Sequence, residues 1–376
     1  MKEDIFNGVK PFGFGAMRLP KLAGGKDAPI DLEQLKKMVD LFLSLGFTYV
    51  DTARPYHGGE SEKALKQALV DRYPRNSFLF ADKIPLWEAG SYEDLVTIFE
   101  GQLKNSGLTY FDYYLIHSMD RSILKQAIKM NAFRLLKEEK AKGRIRHIGF
   151  SFHDTAEVLR DCIAAFPEAE FVQLQINYLD WDSLTVESGR CYEVAAEFGL
   201  PVVVMEPVKG GALADIPEDA KAVLSAAHKE WSPAEWAIRF AASLPQVKMV
   251  LSGMSTLSQM EENTAFMQNP GEPLTTADQE VLTGMMDLIK AANAVACTKC
   301  RYCADCPMGI NIPAVFELYN QGKYMGMTGD IKWMFNGMVE GGGHPNSCIG
   351  CGSCESHCPQ HLNIIELLKD AVKAFE

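Results

Sequence analysis

Residues 113–151 read YYLIHSMDRSILKQAIKMNAFRLLKEEKAKGRIRHIGFS. Tyr113–His117 is a short apolar and aromatic run that suits a strand. Ser122–Lys142 carries apolar residues at three- and four-residue intervals, the repeat of an amphipathic helix. Gly143 stands where that helix should stop, and His147–Ser151 is a second strand-like run. Strand, helix and strand in close succession make a crossover that lays the two strands parallel.

The same unit recurs on both sides of this stretch. Strand-like runs stand at Phe12–Met17, Thr48–Asp51, Phe78–Ile84, Phe171–Ile176, Pro201–Glu206 and Met249–Gly253. Helical patterns follow at Asp31–Leu45, Ser61–Arg72, Tyr92–Ser106, Asp154–Phe166, Leu184–Phe198, Ser232–Leu244 and Leu257–Met267. Asp31 and Ser61 can accept the orphan amides of a first helical turn, and Gly46, Gly107 and Gly199 suit helix ends. Eight strand–helix units in about 260 residues predict an α/β protein with a closed (β/α)8 TIM barrel. An open doubly wound sheet is the alternative. Against it, Gly13-Phe14-Gly15 is only the first half of a dinucleotide-binding G-x-G-x-x-G turn, and a polar loop follows it.

Pro270 and Pro273 break the pattern, and Cys, Gly, Met and Asn dominate from Cys297. The expected organisation is a barrel over 1–270, a linker helix within 271–296 and a small module over 297–376. Eight of the ten cysteines fall in two segments of that module. The first is Cys297-Thr-Lys-Cys300-Arg-Tyr-Cys303-Ala-Asp-Cys306-Pro307. The second is Cys348-Ile-Gly-Cys351-Gly-Ser-Cys354-Glu-Ser-His-Cys358-Pro359. The second fits C-x2-C-x2-C-x3-C-P, and the first lacks one residue before its last cysteine. Three thiolates at this spacing can hold three corners of an iron–sulfur cube, while the cysteine before proline reaches the other cluster. On that logic Cys297, Cys300, Cys303 and Cys358 hold one [4Fe–4S] cluster, and Cys348, Cys351, Cys354 and Cys306 the other. Zinc is the competing reading, but its sites pair two ligand couples across a longer loop. Ile310, Ile312, Leu362 and Ile364 would cover the clusters. About 41 residues separate the segments, and Ala314–Gln321 and Asp330–Phe335 look helical, so the module is expected to be a mainly α-helical ferredoxin-like domain. Cys162 and Cys191 lie in helical patterns and read as core thiols.

The formal net charge of −12 argues against nonspecific nucleic-acid binding, which needs a basic surface. No apolar run approaches the roughly 20 residues that span a bilayer, and the N-terminus lacks a secretory apolar core. The expectation is a cytoplasmic protein with no nucleic-acid or membrane partner.

In barrels, chemistry sits where the strands end. The second run ends in Asp51, with Tyr56 just beyond it. The third ends near Lys83 and the fourth at His117. Four ionisable or hydroxyl groups thus come to one rim. At these residues the sequence resembles the aldo/keto reductases. The matching stretches are Tyr49-Val-Asp-Thr-Ala-Arg-Pro-Tyr56-His-Gly-Gly-Glu-Ser-Glu62, Asp112-Tyr-Tyr-Leu-Ile-His117, Lys142-Gly-Arg-Ile-Arg-His-Ile-Gly-Phe-Ser151 and Glu262-Asn263. The whole chain is similar to the branch of that family with a C-terminal ferredoxin-like module.

The resemblance implies a catalytic tetrad of Asp51, Tyr56, Lys83 and His117. Tyr56 would be the general acid, Lys83 would lower its pKa, Asp51 would hold Lys83 charged, and His117 would orient the carbonyl. A nicotinamide would supply hydride. Ser151 and Gln173 match positions that hold its carboxamide, but Phe152 replaces an Asn there, with His153 as a substitute. Met205 replaces a stacking aromatic. Glu262 and Asn263 match adenine contacts. Gly253 and Gln259 stand where cations hold a 2′-phosphate, so NAD(H) is preferred to NADP(H). Lys209, followed by Gly211, is read as a pyrophosphate ligand. Trp87 is a candidate wall for the substrate pocket.

The first functional expectation is therefore reversible carbonyl/alcohol interconversion on a small molecule, with the clusters serving electron transfer or structure. The second is an electron-transfer oxidoreductase in which a ferredoxin-like partner and the clusters feed the barrel. A flavin stays open there as the joint between one- and two-electron chemistry. A binding or assembly protein on a degenerate barrel is the third, and the intact tetrad counts against it.

Overall fold

The computed structural model describes residues 4–23, 28–183, 186–291, 294–295, 297, 303–341, 343–358 and 360–376. The chain divides into two compact units, one of residues 1–209 and 234–274, the other of 210–233 and 275–376.

The first unit is built on β1 (Phe12–Gly15), β2 (Tyr49–Asp51), β3 (Leu79–Ile84), β4 (Phe111–Met119), β5 (Ile145–Phe152), β6 (Phe171–Gln175), β7 (Val202–Met205) and β8 (Val247–Gly253). Each strand pairs in parallel with the next, and β8 returns to β1 with Gly253 opposite Gly15. The barrel is closed and leaves no edge to aggregate. In chain order the helices are α1 (Leu32–Ser44), α2 (Ser61–Leu65), α3 (Tyr92–Ser106), α4 (Arg121–Lys129), α5 (Ala132–Ala141), α6 (Ala156–Ala165), α7 (Ser188–Glu197), α8 (Glu218–Ala227), α9 (Pro233–Ala242) and α10 (Leu257–Met267). Of these, α8 belongs to the second unit. Asp31 caps α1 by accepting the Gln34 amide at 3.0 Å, and Gly107 closes α3 at φ 69°.

The barrel floor is aromatic. Tyr49, Tyr113 and Phe171, at or near the starts of their strands, converge on Phe6 from the N-terminal segment. Phe6 stacks on Tyr113 at 5.1 Å and meets Phe171 edge-on at 6.0 Å. The Tyr113 hydroxyl donates to the Ile5 carbonyl at 2.7 Å and pins that segment in place.

Two departures from the sequence reading concern the helices. Residues 122–142 form two helices, not one, because Asn131 takes φ 55°. Asn tolerates this left-handed conformation, and the chain turns there. After β7 no helix was expected before Ser232, yet α8 forms there with Ala220 and Leu224 buried.

In the second unit α8 packs on α11 (Thr276–Ala291). Then come α12 (Ile312–Met325), α13 (Gly329–Gly341), α14 (Ser353–Ser356) and α15 (Ile364–Phe375). A core of Ile312, Val315, Phe316, Ile331, Phe335, Leu368 and Phe375 joins α12, α13 and α15, with Phe335 and Phe375 stacked at 3.9 Å. Cys297, Cys303, Cys306, Cys348, Cys354 and Cys358 lie against this core. No helix of the described residues is long and apolar enough to cross a membrane.

Candidate active site and cluster cavity

The C-terminal ends of β2, β3 and β4 deliver Asp51, Lys83 and His117 to one rim of the barrel. Lys83 is 1% exposed. Its Nζ donates to Asp51 Oδ1 at 2.5 Å and to the Thr52 carbonyl at 2.9 Å. Tyr56 begins a tight turn in which His57 and Gly58 take φ 54° and 64°. His57 Nε2 accepts the Leu19 amide at 3.1 Å and ties that turn to the loop after β1. The turn folds the half-buried Tyr56 back over Lys83, whose Nζ is 5.2 Å from the ring centre. The His117 ring meets Tyr56 edge-on at 5.7 Å, and Trp87 lies tilted on its other side at 5.1 Å. Trp87 is 46% exposed, so it forms an open wall.

Burial lowers the His117 pKa well below the ordinary value, and the Lys83 charge adds to it. The imidazole is neutral, and its buried Nδ1 has no partner among the described residues. Burial acts to lower Lys83, yet the Asp51 and Tyr56 charges together hold it above the usual lysine value. Tyr56 corrects the simpler expectation. Burial raises its pKa, the Lys83 ammonium pulls it down, and the balance stays above the ordinary tyrosine value. The resting phenol is therefore protonated, with a proton to give.

β4 bulges after Ile116, and Ser118 takes φ 52°. Its amide donates to Ser151 Oγ at 2.8 Å, so that hydroxyl braces the bulge carrying His117. Gln173 is buried in β6 with Oε1 unpartnered among the described residues, a fit for a carboxamide donor. Met205 ends β7 and is half-buried. Gln259 accepts the Ser255 amide at 2.8 Å, Asn263 donates to Ser252 Oγ at 3.2 Å, and Glu262 is exposed. Gly211 lies in residues 210–233 at φ 102°.

Lys209 departs from its sequence assignment. Its buried Nζ is bonded to Asp180 Oδ1 at 2.7 Å and Oδ2 at 2.9 Å. Asn177 and Gln175 also donate to Asp180, at 2.8 and 3.0 Å. Burial would raise the Asp180 pKa, but Lys209 and these amides bring it below the usual value. The pair fastens the loop after β7 to the loop after β6. Lys209→Met would strand a buried carboxylate and is expected to cost about 3 kcal/mol, read by denaturant unfolding at pH 7. Because the folded pKa of Asp180 is depressed, its contribution is present above the unfolded value of about 4 and fades as pH falls through the folded one. The gap between variant and wild type should close in that acid range.

The sequence reading missed Arg18. A Cβ on Gly253 would lie 3.3 Å from the Arg18 side chain, so a guanidinium stem covers the site read as lacking a cation. Arg18 also approaches Glu206 at 3.9 Å. It ends the short helical turn Ala16–Arg18 that follows β1, and no charged neighbour in sequence points to this packing.

In the second unit Cys306, Cys348, Cys351 and Cys354 line one cavity of about 160 Å³, with Cys303, Ile310, Ile312, Ile365 and Leu368. Two cysteines of the first segment, Cys303 and Cys306, thus share this cavity with three of the second. Cys297, Cys303 and Cys358 lie against the same core, whereas Cys300 falls outside the described residues. Cys162 and Cys191 are buried in the barrel unit, and burial pushes both thiols up to about 12, so they stay protonated.

Residues 11–278 match the aldo/keto reductase family, and residues 296–363 match the 4Fe-4S dicluster domain. An uncharacterized oxidoreductase of Schizosaccharomyces pombe is 24% identical over 72% of this chain and 87% of its own length. L-galactose dehydrogenase of Arabidopsis thaliana is 25% identical over 68% and 84%. Among solved structures, an aldo-keto reductase from Bacillus halodurans in holo form gives a TM-score of 0.60 at 22% identity, over 74% of this chain and 92% of that one. One from Klebsiella pneumoniae, in complex with NADPH, gives 0.59 at 18% over 74% and 91%. The chain belongs to the aldo/keto reductase family, its (β/α)8 barrel followed by a 4Fe-4S dicluster domain.

Proposed function

We propose that the barrel interconverts a small carbonyl compound and its alcohol by hydride transfer from a nicotinamide, in the cytoplasm. The observation that carries this reading is the Asp51–Lys83 contact beneath Tyr56, with a neutral His117 beside it. A carbonyl oxygen seated between Tyr56 and His117 meets two neutral donors. As negative charge grows on that oxygen, Tyr56 gives up its proton, and the Lys83 ammonium stabilises the phenolate left behind. Asp51 keeps Lys83 charged and in place. Trp87 and His117 flank the seat on one side. A nicotinamide, when bound, would supply hydride to the carbonyl carbon. Gln173 Oε1 would accept from its carboxamide, and Met205 could cover the ring. The reading is tested by turnover of small aldehydes, ketones and alcohols with NADH and NADPH, in wild type and Tyr56→Phe.

For the nucleotide, NAD(H) remains the proposed partner, because Gly253 and Gln259 carry no charge and Arg18 already approaches Glu206. Loss of one charge-assisted bond to a 2′-phosphate corresponds to roughly tenfold in affinity or more. NADH is thus expected to bind at least about tenfold more tightly than NADPH by fluorescence titration at fixed salt. Tighter NADPH binding overturns the preference.

In the second unit we propose two [4Fe–4S] clusters, one in the cavity of Cys306, Cys348, Cys351 and Cys354. A cavity of about 160 Å³ between thiols suits a polynuclear cluster. Three cysteines at x2 spacing suit a cubane better than the two separated ligand pairs of a zinc site. Clusters supply one-electron transfer when redox-active.

A second reading has its own support. Phe152, Met205 and the occupied Lys209 all depart from a standard nicotinamide cradle. In that reading the barrel receives electrons from the clusters and a ferredoxin-like partner, through a flavin. Flavin released by acid from purified protein, with no binding of either nicotinamide, would favour it.

A further inference from the structure

Behind the rim, on the helix side of the barrel wall, lie two carboxyl groups that the chemistry above does not use. Glu62 from α2 and Asp82 from β3 are both fully buried and are hydrogen-bonding neighbours. Each has one oxygen accounted for: Asp82 Oδ1 accepts the Lys83 amide at 2.8 Å, and Glu62 Oε2 accepts Asn105 Nδ2 at 2.8 Å. The other two oxygens, Asp82 Oδ2 and Glu62 Oε1, have no donor among the described residues. Two carboxylates cannot satisfy each other, but one proton between them satisfies both oxygens and removes the repulsion.

The location gives this pair a task. β2 ends opposite Ala81, so beyond that point the Lys83 peptide must find side-chain partners. Its amide goes to Asp82, and its carbonyl accepts Gln102 Nε2 at 3.0 Å. Gln102 is held in turn by the Tyr114 hydroxyl at 2.5 Å. The segment that aims Lys83 at Asp51 and Tyr56 is thus fixed by the carboxyl pair on one side and an amide on the other.

We propose that Glu62 and Asp82 share one proton, and that the resulting singly charged pair is a positioning device that fixes the Lys83 peptide and sets the charge behind its ammonium. The inference rests on Lys83 and Tyr56 being the working groups of the rim. The other ionisable groups that face the pair are Lys83 and Asp51 from the strands, Arg54 from the loop after β2 and Tyr114 from β4. Burial raises both carboxyl pKa values, and the charge of Glu62 raises Asp82 further, while Lys83 opposes that rise. Arg54 is paired with Glu88 at 2.6 Å, so it compensates the pair only partly.

Infrared spectroscopy of the full chain with its clusters reads the proton directly. The carbonyl stretch of a protonated carboxyl lies above the amide band. Wild type should show it at pH 7–8, and both Glu62→Gln and Asp82→Asn should lose it, since each amide replaces the shared proton and leaves one carboxylate. Absence from wild type, or persistence in both variants, overturns the shared proton. The positioning role is read from the alkaline titration of Tyr56, taken as the absorbance difference from Tyr56→Phe. Each single amide preserves one negative charge and should leave that titration in place. The double variant removes it and should move tyrosinate formation down by roughly one pH unit, tenfold in the ionisation constant. An unmoved double variant, or a shift in the singles, overturns the positioning role. Neither readout uses substrate or nucleotide, so both stand apart from the fate of the carbonyl reading.

Discussion

Tyr56→Phe is expected to lower carbonyl turnover by about 10²–10⁴-fold, the usual worth of a placed general acid. Nicotinamide affinity should change little, since the proposed role of the hydroxyl is toward the substrate oxygen and the ring is retained. The loss should fall on kcat, because the proton is given up only as charge develops on the substrate oxygen. Lys83→Met is a sharper companion. It removes the ammonium that stabilises the phenolate and also strands Asp51, which is buried beside it. Turnover should fall as far, and the folded state should be weakened as well. Full turnover by Tyr56→Phe would move the chemistry away from this rim.

The second large effect concerns iron. Protein prepared anaerobically is expected to carry about eight iron and eight sulfide per chain, as two cubanes require. If Cys306 completes the proposed cluster of Cys348, Cys351 and Cys354, with which it shares a cavity, Cys306→Ala should strip or degrade that cluster. Iron should then fall toward about four per chain with the other cluster kept. Cys162→Ala removes a protonated barrel thiol and should leave iron unchanged. Zinc in place of iron in wild type would defeat the assignment, and equal iron in Cys306→Ala would defeat the crossing of that cysteine between segments.

The barrel was legible because parallel strands buried on both faces write themselves as apolar runs, and the helices between them keep a clear period. Asp51, Lys83 and His117 were legible for a related reason: each ends such a run, so its place on the rim follows from its place in the strand. Asn131 was not, since the apolar period runs on either side of it and a single Asn, though a weak helix former, does not by itself mark a break. Lys209 was read as a pyrophosphate ligand because two glycines follow it, and its partner Asp180 is remote in sequence. Glu62 and Asp82 stood in plain view beside quoted motif residues. Pattern alone could not say that both point away from the rim and toward each other, because that depends on how α2 packs on β3. Pairwise burial of distant polar groups is a tertiary fact, and local periodicity carries no trace of it.

Phe6 caps the barrel at the end away from the rim. With Tyr49, Tyr113 and Phe171 packed around it, that end is aromatic and apolar. The polar groups therefore stand at the rim end, and on the proposed chemistry the hydrogen added to carbon is the nicotinamide's while the one added to oxygen is that of Tyr56. Reduction in heavy water should then place no deuterium on the carbinol carbon.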